Sequence, residues 1–128
     1  MGFCVLFDSG VTYSFISTRS ALQLNLHHAK IEANYRIKLS NDYIVDCPIL
    51  YKYVPISLGE SIFPGDLIQI DLSDFDIILG MNWLHAYEIK LDCNDHKVTL
   101  IDEQGQEGML LWAKRGEALV YHFCYERE

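Results

Sequence analysis

The residues best suited to chemistry are Asp8, Ser9 and Gly10, which directly follow the apolar run Val5–Phe7. A carboxylate at the end of a strand can act as a general acid or base when it points into a cleft. Gly10 lets the backbone turn sharply where a side chain would clash, so Asp8 can leave the strand in this way. The Ser9 hydroxyl can hydrogen-bond within the loop or across to a partner copy. Asp8 is therefore the candidate catalytic residue, although an ordinary turn after a strand would give the same tripeptide.

The elements that must position this loop are mostly short strands. Phe3–Asp8 is predicted to be a buried strand, and Ser17 is a candidate N-cap for a short helix that runs to Leu24. Gly80–Tyr87 is predicted to be a second short helix. The residues of this second helix expected to pack beneath the sheet are Met81, Trp83 and Leu84. Turn residues separate the further predicted strands, which are Ile31–Leu39, Tyr43–Leu58, Ile62–Asp71, Ile77–Leu79, Ile89–Cys93 and Lys97–Ile101.

A second segment supports a specific interpretation of the first. Asp76–Leu84 reads Asp-Ile-Ile-Leu-Gly-Met-Asn-Trp-Leu, in which apolar residues and a glycine lead into the predicted helix. Together with Leu6–Ser17, it closely resembles the retropepsin-like proteases of gypsy-type LTR retrotransposons, with both motifs in the family's order and spacing. The resemblance runs from about Cys4 to Leu100.

This resemblance implies a fold, an activity and site residues. The implied fold is mostly β, a retropepsin-like closed β-barrel with one or two short helices, in which Ile78, Leu79 and Gly80 form the second structural motif. The implied activity is that of an aspartic endopeptidase that processes a Gag-Pol polyprotein. Asp8 is then the catalytic residue, and Ser9 and Gly10 support its loop. We expect no cofactor.

The chemistry of such an enzyme predicts a homodimer. Peptide hydrolysis by this mechanism needs two carboxylates that share one proton, because two like charges about 3 Å apart cannot both ionise. The sequence contains Asp-Ser-Gly once, and no later aspartate is followed by Ser-Gly or Thr-Gly. We therefore expect a two-fold dimer in which Asp8 of each chain meets at the axis.

Substrate contacts are predicted at a hairpin and at pocket walls. The turn Ser40–Asp42 falls where retropepsins resemble one another in having a flap that closes over a bound polypeptide. Asn41 and Asp42 are therefore candidate substrate-binding residues, and a plain surface hairpin is the alternative. Val11, Ile44 and Ile78 are the candidate residues of the pocket walls.

The other polar residues do not predict a metal site. Asp74 and Asp76 have a spacing that puts both carboxylates on one side of an extended chain, but hard cations require more oxygen ligands than two. A structural role as a turn or cap residue is expected for Asp76. The cysteines are far apart in the sequence, and buried free thiols are favoured over two disulfides. They are Cys4, Cys47, Cys93 and Cys124.

Composition limits the partners and the location. The 128 residues suffice for one domain, and half of them are hydrophobic. A net charge of −8 argues against direct binding of nucleic acid through a basic surface. No apolar run approaches the length of a membrane-spanning helix, and the N-terminus has no signal-peptide pattern. We expect no membrane association and an intracellular location, in the cytoplasm or in virus-like particles.

Three departures from the family pattern bear on activity and leave an alternative open. Val11 stands where alanine is usual, and overfilling a tight site commonly costs about 1–3 kcal/mol. We expect the protease domain to be residues 1–101 with a truncated N-terminal strand, and residues 102–128 to form extra strands or a linker to the next polyprotein unit. Asn82 replaces a common aspartate, which keeps the shape and loses the charge. The alternative is an inactive retrotransposon-derived remnant that serves as a dimerisation or peptide-binding module.

Overall fold

A computed structural model describes residues 2–39, 41–58, 61–92, 97–101, 103–105, 107–111, 113–115 and 118–124 of the chain. Two short helices, α1 (Thr18–Leu24) and α2 (Met81–Ala86), accompany a fold made mostly of strands. The strands are β1 (Gly2–Phe7), β2 (Phe15–Ser17), β3 (Lys30–Lys38), β4 (Ile44–Val54), β5 (Ser57–Leu58), β6 (Ser61–Ile62), β7 (Gly65–Ile70), β8 (Ile77–Leu79), β9 (Lys90–Asp92), β10 (Lys97–Ile101), β11 (Glu107–Leu111), β12 (Ala113–Arg115) and β13 (Ala118–Cys124). The predicted class, mostly β with short helices, is confirmed.

The main sheet has eight strands in the order β12-β13-β1-β8-β2-β7-β4-β3. Within the described part of the chain β12 and β3 are its two edges, so the sheet is open and the predicted closure into a barrel is wrong. Closure would require the edge strands to pair, and each of them pairs on one side alone in the described residues. A three-stranded sheet, β11-β10-β9, and the β5-β6 pair complete the described strands.

The order of the central strands forces one loop to cross over another element. β8 lies between β1 and β2, pairing parallel with β1 and antiparallel with β2. The connection from β1 to β2 therefore passes over the end of β8, at the point where α2 begins. This connection contains Asp8, so the site is built where the two predicted motifs meet.

Two of the strands after residue 101, β12 and β13, join the main sheet. β13 pairs antiparallel with β1 along its whole length, from Gly2 opposite Cys124 to Phe7 opposite Leu119. β1 is thus an internal strand, with β13 on one side and β8 on the other. The division of the chain at residue 101 stays a prediction.

Local sequence signals explain the first helix. The Ser17 side chain accepts a hydrogen bond from the Ser20 amide at 3.1 Å, as expected for an N-cap. Asn25 ends the helix in the left-handed region, at φ 54°, a conformation that asparagine tolerates better than most residues. The predicted cap and the predicted end at Leu24 are both confirmed.

The second helix packs through aromatic residues. Trp83 is 2% exposed, and its indole N–H donates to the Phe63 carbonyl at 3.1 Å. Tyr87 follows the helix, packs edge-on against Phe63 and donates its hydroxyl to the Pro64 carbonyl. Burial raises the pKa of Tyr87 to about 12, so the hydroxyl stays protonated and keeps this bond well above neutral pH. The helix is anchored beneath the sheet in this way.

One residue of the second helix that was predicted to pack beneath the sheet is exposed instead. Trp83 and Leu84 are buried as expected, but Met81 is 42% exposed and that prediction is wrong. Met81 is the first residue of a helix of only two turns, so its side chain lies before the part of the helix that contacts the sheet.

Cys47 is a buried free thiol, as predicted, and burial together with the Asp46 charge raises its pKa. Cys93 lies outside the described residues.

Asp76 links three elements through its carboxylate. One oxygen accepts the Cys4 amide of β1 at 2.8 Å, and the other accepts the Ser20 hydroxyl of α1 at 2.8 Å. Arg19 adds an ion pair at 3.5 Å, but its side chain is 67% exposed, so this contact contributes little. The predicted structural role of Asp76 is confirmed, as a cross-link between β1, α1 and β8 rather than as a simple turn residue.

Replacing Asp76 with alanine is expected to lower the free energy of unfolding by about 2–3 kcal/mol, because hydrogen bonds to a charged group are among the stronger ones. Urea unfolding followed by circular dichroism measures this change. Asp74→Ala, at an exposed position two residues away, is the matched control and should change stability by less than about 0.5 kcal/mol. Equal effects of the two substitutions would show that Asp76 carries no cross-link.

Candidate active site

Asp8 is fixed by both its backbone and its side chain at the end of β1. Its amide donates to the Leu79 carbonyl at 3.0 Å, and its Oδ1 accepts the Gly10 amide at 2.8 Å. The side chain is half-buried, and Ser9 and Gly10 beside it are exposed. A Cβ at Gly10 would lie 3.0 Å from Asp8 Oδ1, so a larger residue there would push the carboxylate aside. The carboxylate is thus oriented by its own loop and remains accessible.

The Asp8 loop is bound to the start of α2 by backbone hydrogen bonds. The Met81 amide donates to the Val11 carbonyl at 2.8 Å, and the Asn82 amide donates to the Thr12 carbonyl at 2.9 Å. These two amides belong to the first turn of α2, where they have no partner within the helix. The loop therefore caps the helix, and the helix holds the loop.

Gly80 is required for this close approach. A Cβ at position 80 would lie 2.1 Å from the Tyr13 carbonyl oxygen and 2.9 Å from the Val11 carbonyl oxygen. Atoms that are not bonded to each other do not approach so closely, and both neighbours are backbone atoms, which cannot rotate away as a side chain can. The presence of glycine at position 80 of the motif is thus explained by steric hindrance.

A buried serine completes the junction. Ser14 is 1% exposed; its hydroxyl accepts the Gly80 amide at 3.0 Å and donates to Asn82 Oδ1 at 2.8 Å. Asn82 Oδ1 also accepts the Trp83 amide at 2.8 Å. An amide oxygen can therefore make these contacts in place of a carboxylate oxygen, which explains how asparagine fits at position 82. Sequence reasoning missed Ser14, because nothing in the sequence indicates that its partner lies 66 residues away.

Replacing Ser14 with alanine is expected to cost about 1–3 kcal/mol of stability, because the buried Gly80 amide would lose its acceptor. Thermal and urea unfolding of the two proteins measure the difference. Ser73→Ala is the control, since Ser73 is exposed and its loss should have almost no effect. Stability unchanged in both variants would mean that the amide finds another partner.

A groove of about 430 Å³ adjoins the Asp8 loop. Two of the candidate pocket residues, Val11 and Ile78, line it. The third, Ile44, does not line it and is 57% exposed on β4. Gly10 of the catalytic loop lines the groove as well, and residues that the sequence did not single out line the rest of it: Thr12, Tyr13, Phe15, Arg36, Ile37, Lys38, Leu39, Ile70 and Leu72. The loop, the end of β3 and the chain around β7 and β8 thus form its walls.

The predicted flap is the hairpin of β3 and β4, which pair antiparallel. At its tip the Asp42 amide donates to the Leu39 carbonyl at 3.0 Å, and the Tyr43 amide donates to Asn41 Oδ1 at 3.2 Å. Asp42 has a φ of 69°, a backbone conformation in which glycine would be expected. Asn41 and Asp42 are exposed and do not line the groove, and Ser40 lies outside the described residues. Their contact with substrate stays a prediction.

No metal centre is formed by the described residues, where no three His, Cys, Asp or Glu side chains are placed to hold an ion. The expectation that no metal or cofactor is needed stays a prediction. Neither described helix has the length and apolar character needed to cross a membrane.

The architecture is that of a retropepsin-like acid protease domain. The chain is similar to the crystal structure of the retroviral protease-like domain of Ddi1 from Leishmania major, with a TM-score of 0.63. The match covers 77% of this chain and 84% of that one at 18% sequence identity, so it shows a shared fold. The chain belongs to the retroviral aspartyl protease family, whose sequence model matches residues 2–106. None of the curated protein sequences compared with it matches.

Proposed function

We propose that the chain is an aspartic endopeptidase that cleaves a retrotransposon Gag-Pol polyprotein, with an active site formed across a homodimer. The observation that carries this proposal is the placement of Asp8. Its carboxylate is accessible and oriented by the Gly10 amide, and the residues that follow it in the same loop line an apolar groove. Membership of the retroviral aspartyl protease family supports the class of reaction.

Each chain supplies half of the catalytic pair. The sequence contains one Asp-Ser-Gly, so the second carboxylate comes from Asp8 of a partner copy. At mildly acidic pH the two carboxyl groups share one proton, because two like charges about 3 Å apart cannot both ionise. The ionised member deprotonates a water molecule, which attacks the scissile carbonyl carbon. The protonated member donates to the developing oxyanion, and a proton then passes to the leaving amine.

The groove and hairpin supply the substrate site. An extended polypeptide lies between the Asp8 loop and the β3–β4 hairpin, held by backbone hydrogen bonds and by side chains in the groove. The hairpin closes over the peptide and excludes water, with Asn41 and Asp42 at its tip. The gypsy-type origin, the polyprotein substrate and a location in the cytoplasm or in virus-like particles follow from the resemblance of the two motifs.

Subunit mixing tests the shared site. The purified chain is assayed on a mixed peptide library at about pH 5, where one carboxyl of such a pair stays protonated. We expect activity per chain to rise with chain concentration. An equal amount of Asp8→Asn chain should lower the activity per wild-type chain to roughly half, because mixed dimers carry one aspartate.

The control for the mixing experiment is Asp74→Asn, whose exposed carboxylate is outside the site. Addition of this chain should leave the activity per total chain undiminished, because every dimer that it forms keeps two Asp8 carboxylates. Activity that is independent of concentration and is not reduced by Asp8→Asn chains would overturn the dimeric site.

A second candidate function is peptide binding without catalysis. Val11 favours it, because this side chain lines the groove in the position where the family usually has alanine. A folded dimer that binds peptides and cleaves none of them would establish this function in place of the first. Val11→Ala then shows whether the two extra methyl groups prevent cleavage.

A further inference from the structure

The outer part of the β3–β4 hairpin extends beyond the main sheet. In the described part of the chain, β4 pairs with β7 only from Leu50 onwards, and β3 pairs with β4 alone. Tyr35 lies opposite Cys47, before that point is reached. Residues 35–39 and 41–47, which we call the projecting hairpin, are therefore paired with each other and with no further strand among the described residues.

Two cavities separate the projecting hairpin from the rest of the chain. The groove of about 430 Å³ lies between the hairpin and the Asp8 loop. A second cavity of about 310 Å³ lies between Val45–Pro48 of β4 and Gln69–Asp71 at the end of β7. The hairpin thus has space in which to move, and side-chain contacts must set its position.

One ring contact joins the projecting hairpin to the connection that contains Asp8. The rings of Tyr13 and Tyr35 pack edge-to-face, with centroids 5.2 Å apart and planes at 69°. Tyr35 is half-buried on the same face of β3 as Ile37, and both pack against the smaller hydrophobic cluster. Tyr13 is 41% exposed and lines the groove. The contact therefore lies where the hairpin, the groove and the Asp8 loop meet.

The backbone of Tyr13 is held firmly on both sides. Thr12 and Ser14, the residues before and after it, each accept a backbone hydrogen bond at 2.9 Å, from α2 and from β7 respectively. The Tyr13 carbonyl packs against Gly80, where no Cβ fits. Tyr35 has no such support, because its strand is at the edge of the sheet. A ring with a fixed backbone thus contacts a hairpin that has space to move.

We propose that the Tyr13–Tyr35 contact fixes the position of the projecting hairpin over the groove, and thereby the strength with which a peptide is held beside Asp8. Tyr13 and Tyr35 are then positioning residues, which act on substrate binding through the hairpin and leave the chemistry of the carboxylates unchanged. The inference rests on the proposed endopeptidase function and deepens it, because it names the contact that controls binding at the same site.

The test is peptide cleavage by the full-length chain, at a concentration where activity per chain no longer rises. Tyr35→Leu is expected to raise KM about threefold to tenfold, the factor that corresponds to one aromatic pair, and to leave kcat within about twofold. Tyr35→Phe keeps the ring and should retain the wild-type KM. Tyr53→Leu is the matched control, since Tyr53 is also on β4–β3 pairing strands but is 62% exposed and does not line the groove.

A double substitution shows whether the two rings act together. Tyr13→Leu should raise KM by a factor similar to that of Tyr35→Leu. The protein with both substitutions should have a KM no higher than about that of the weaker-binding single variant, because the two changes remove one shared contact. Two factors that multiply would show that the residues act separately and would overturn the inference.

The outcomes separate this inference from the proposed function. A lower kcat with unchanged KM in Tyr35→Leu indicates a purely structural role. That result, or an equal rise in KM in Tyr53→Leu, would overturn the inference and leave the endopeptidase function intact. Absence of all cleavage by the wild-type chain would overturn the function.

Peptide binding then decides the inference without catalysis. The probe is a fluorescently labelled peptide selected from the library by its binding to the Asp8→Asn chain. Its Kd, measured by fluorescence anisotropy, should rise about threefold to tenfold when Tyr35→Leu is added and stay unchanged with Tyr35→Phe. Equal Kd values in the three proteins, or no binding of any peptide, would overturn the inference as well.

Discussion

Replacing Asp8 with asparagine is expected to lower kcat/KM for peptide cleavage at least about 1000-fold, because a general acid–base group of this kind contributes up to about 10⁴-fold. Asparagine cannot take a proton from water or hold the proton shared by the pair. Its side-chain oxygen can still accept the Gly10 amide, which Asp8 Oδ1 accepts at 2.8 Å. The loop should therefore keep its shape, and the change should appear in the rate of cleavage alone.

The measurement is cleavage of a peptide library, with and without pepstatin, next to thermal unfolding of both proteins. The unfolding free energy should change by less than about 1 kcal/mol. Asp74→Asn, which removes an exposed carboxylate, should retain full activity. Cleavage that survives in the Asp8→Asn protein would assign the chemistry to another group.

Replacing Gly80 with alanine is expected to produce the largest loss of stability, about 3 kcal/mol or more. The added Cβ would lie 2.1 Å from the Tyr13 carbonyl oxygen, so the loop or the start of α2 must move. Such movement breaks the bonds from the Met81 and Asn82 amides to the loop. Because domains are stable by only about 5–15 kcal/mol, this loss is a large part of the total stability.

Gly105→Ala is the control for this prediction. Gly105 has a φ of 80°, and a Cβ there would meet nothing within 4 Å. The substitution should cost about 1–2 kcal/mol through backbone strain alone. Urea unfolding of the two variants compares the stability lost through backbone strain at position 105 with the stability lost through a steric clash at position 80. A Gly80→Ala protein no less stable than Gly105→Ala would show that the loop approaches α2 less closely than the structure has it.

Features set by neighbouring residues were predictable from the sequence. The helix from Thr18 to Leu24 follows from the Ser17 cap, and the β3–β4 hairpin follows from two extended runs with a turn between them. The position of Asp8 at the end of an apolar strand is equally local. Met81 shows the limit of this reasoning, because its exposure depends on where the first turn of a short helix meets the sheet.

Features set by distant residues required the tertiary structure. The Ser14 hydroxyl bonds to the Gly80 amide across 66 residues of sequence, and the Asp76 carboxylate bonds to the Cys4 amide across 72. Sequence identified Gly80 and Asp76 as motif residues but could not name the atoms that they meet. The groove is a similar case, since Ile37 and Leu39 line it only because β3 lies beside the Asp8 loop.

By itself, the sequence predicted the chemistry: it contains one Asp-Ser-Gly, from which we expect half of a two-carboxylate site and a requirement for a second copy. The tertiary structure decided how that carboxylate is held, by the passage of the Asp8 loop over the end of β8 and by Gly80, where no side chain fits. It also decided which side chains border the groove. The physical reason is that residue type fixes what a group can do, whereas packing between distant strands fixes which groups meet.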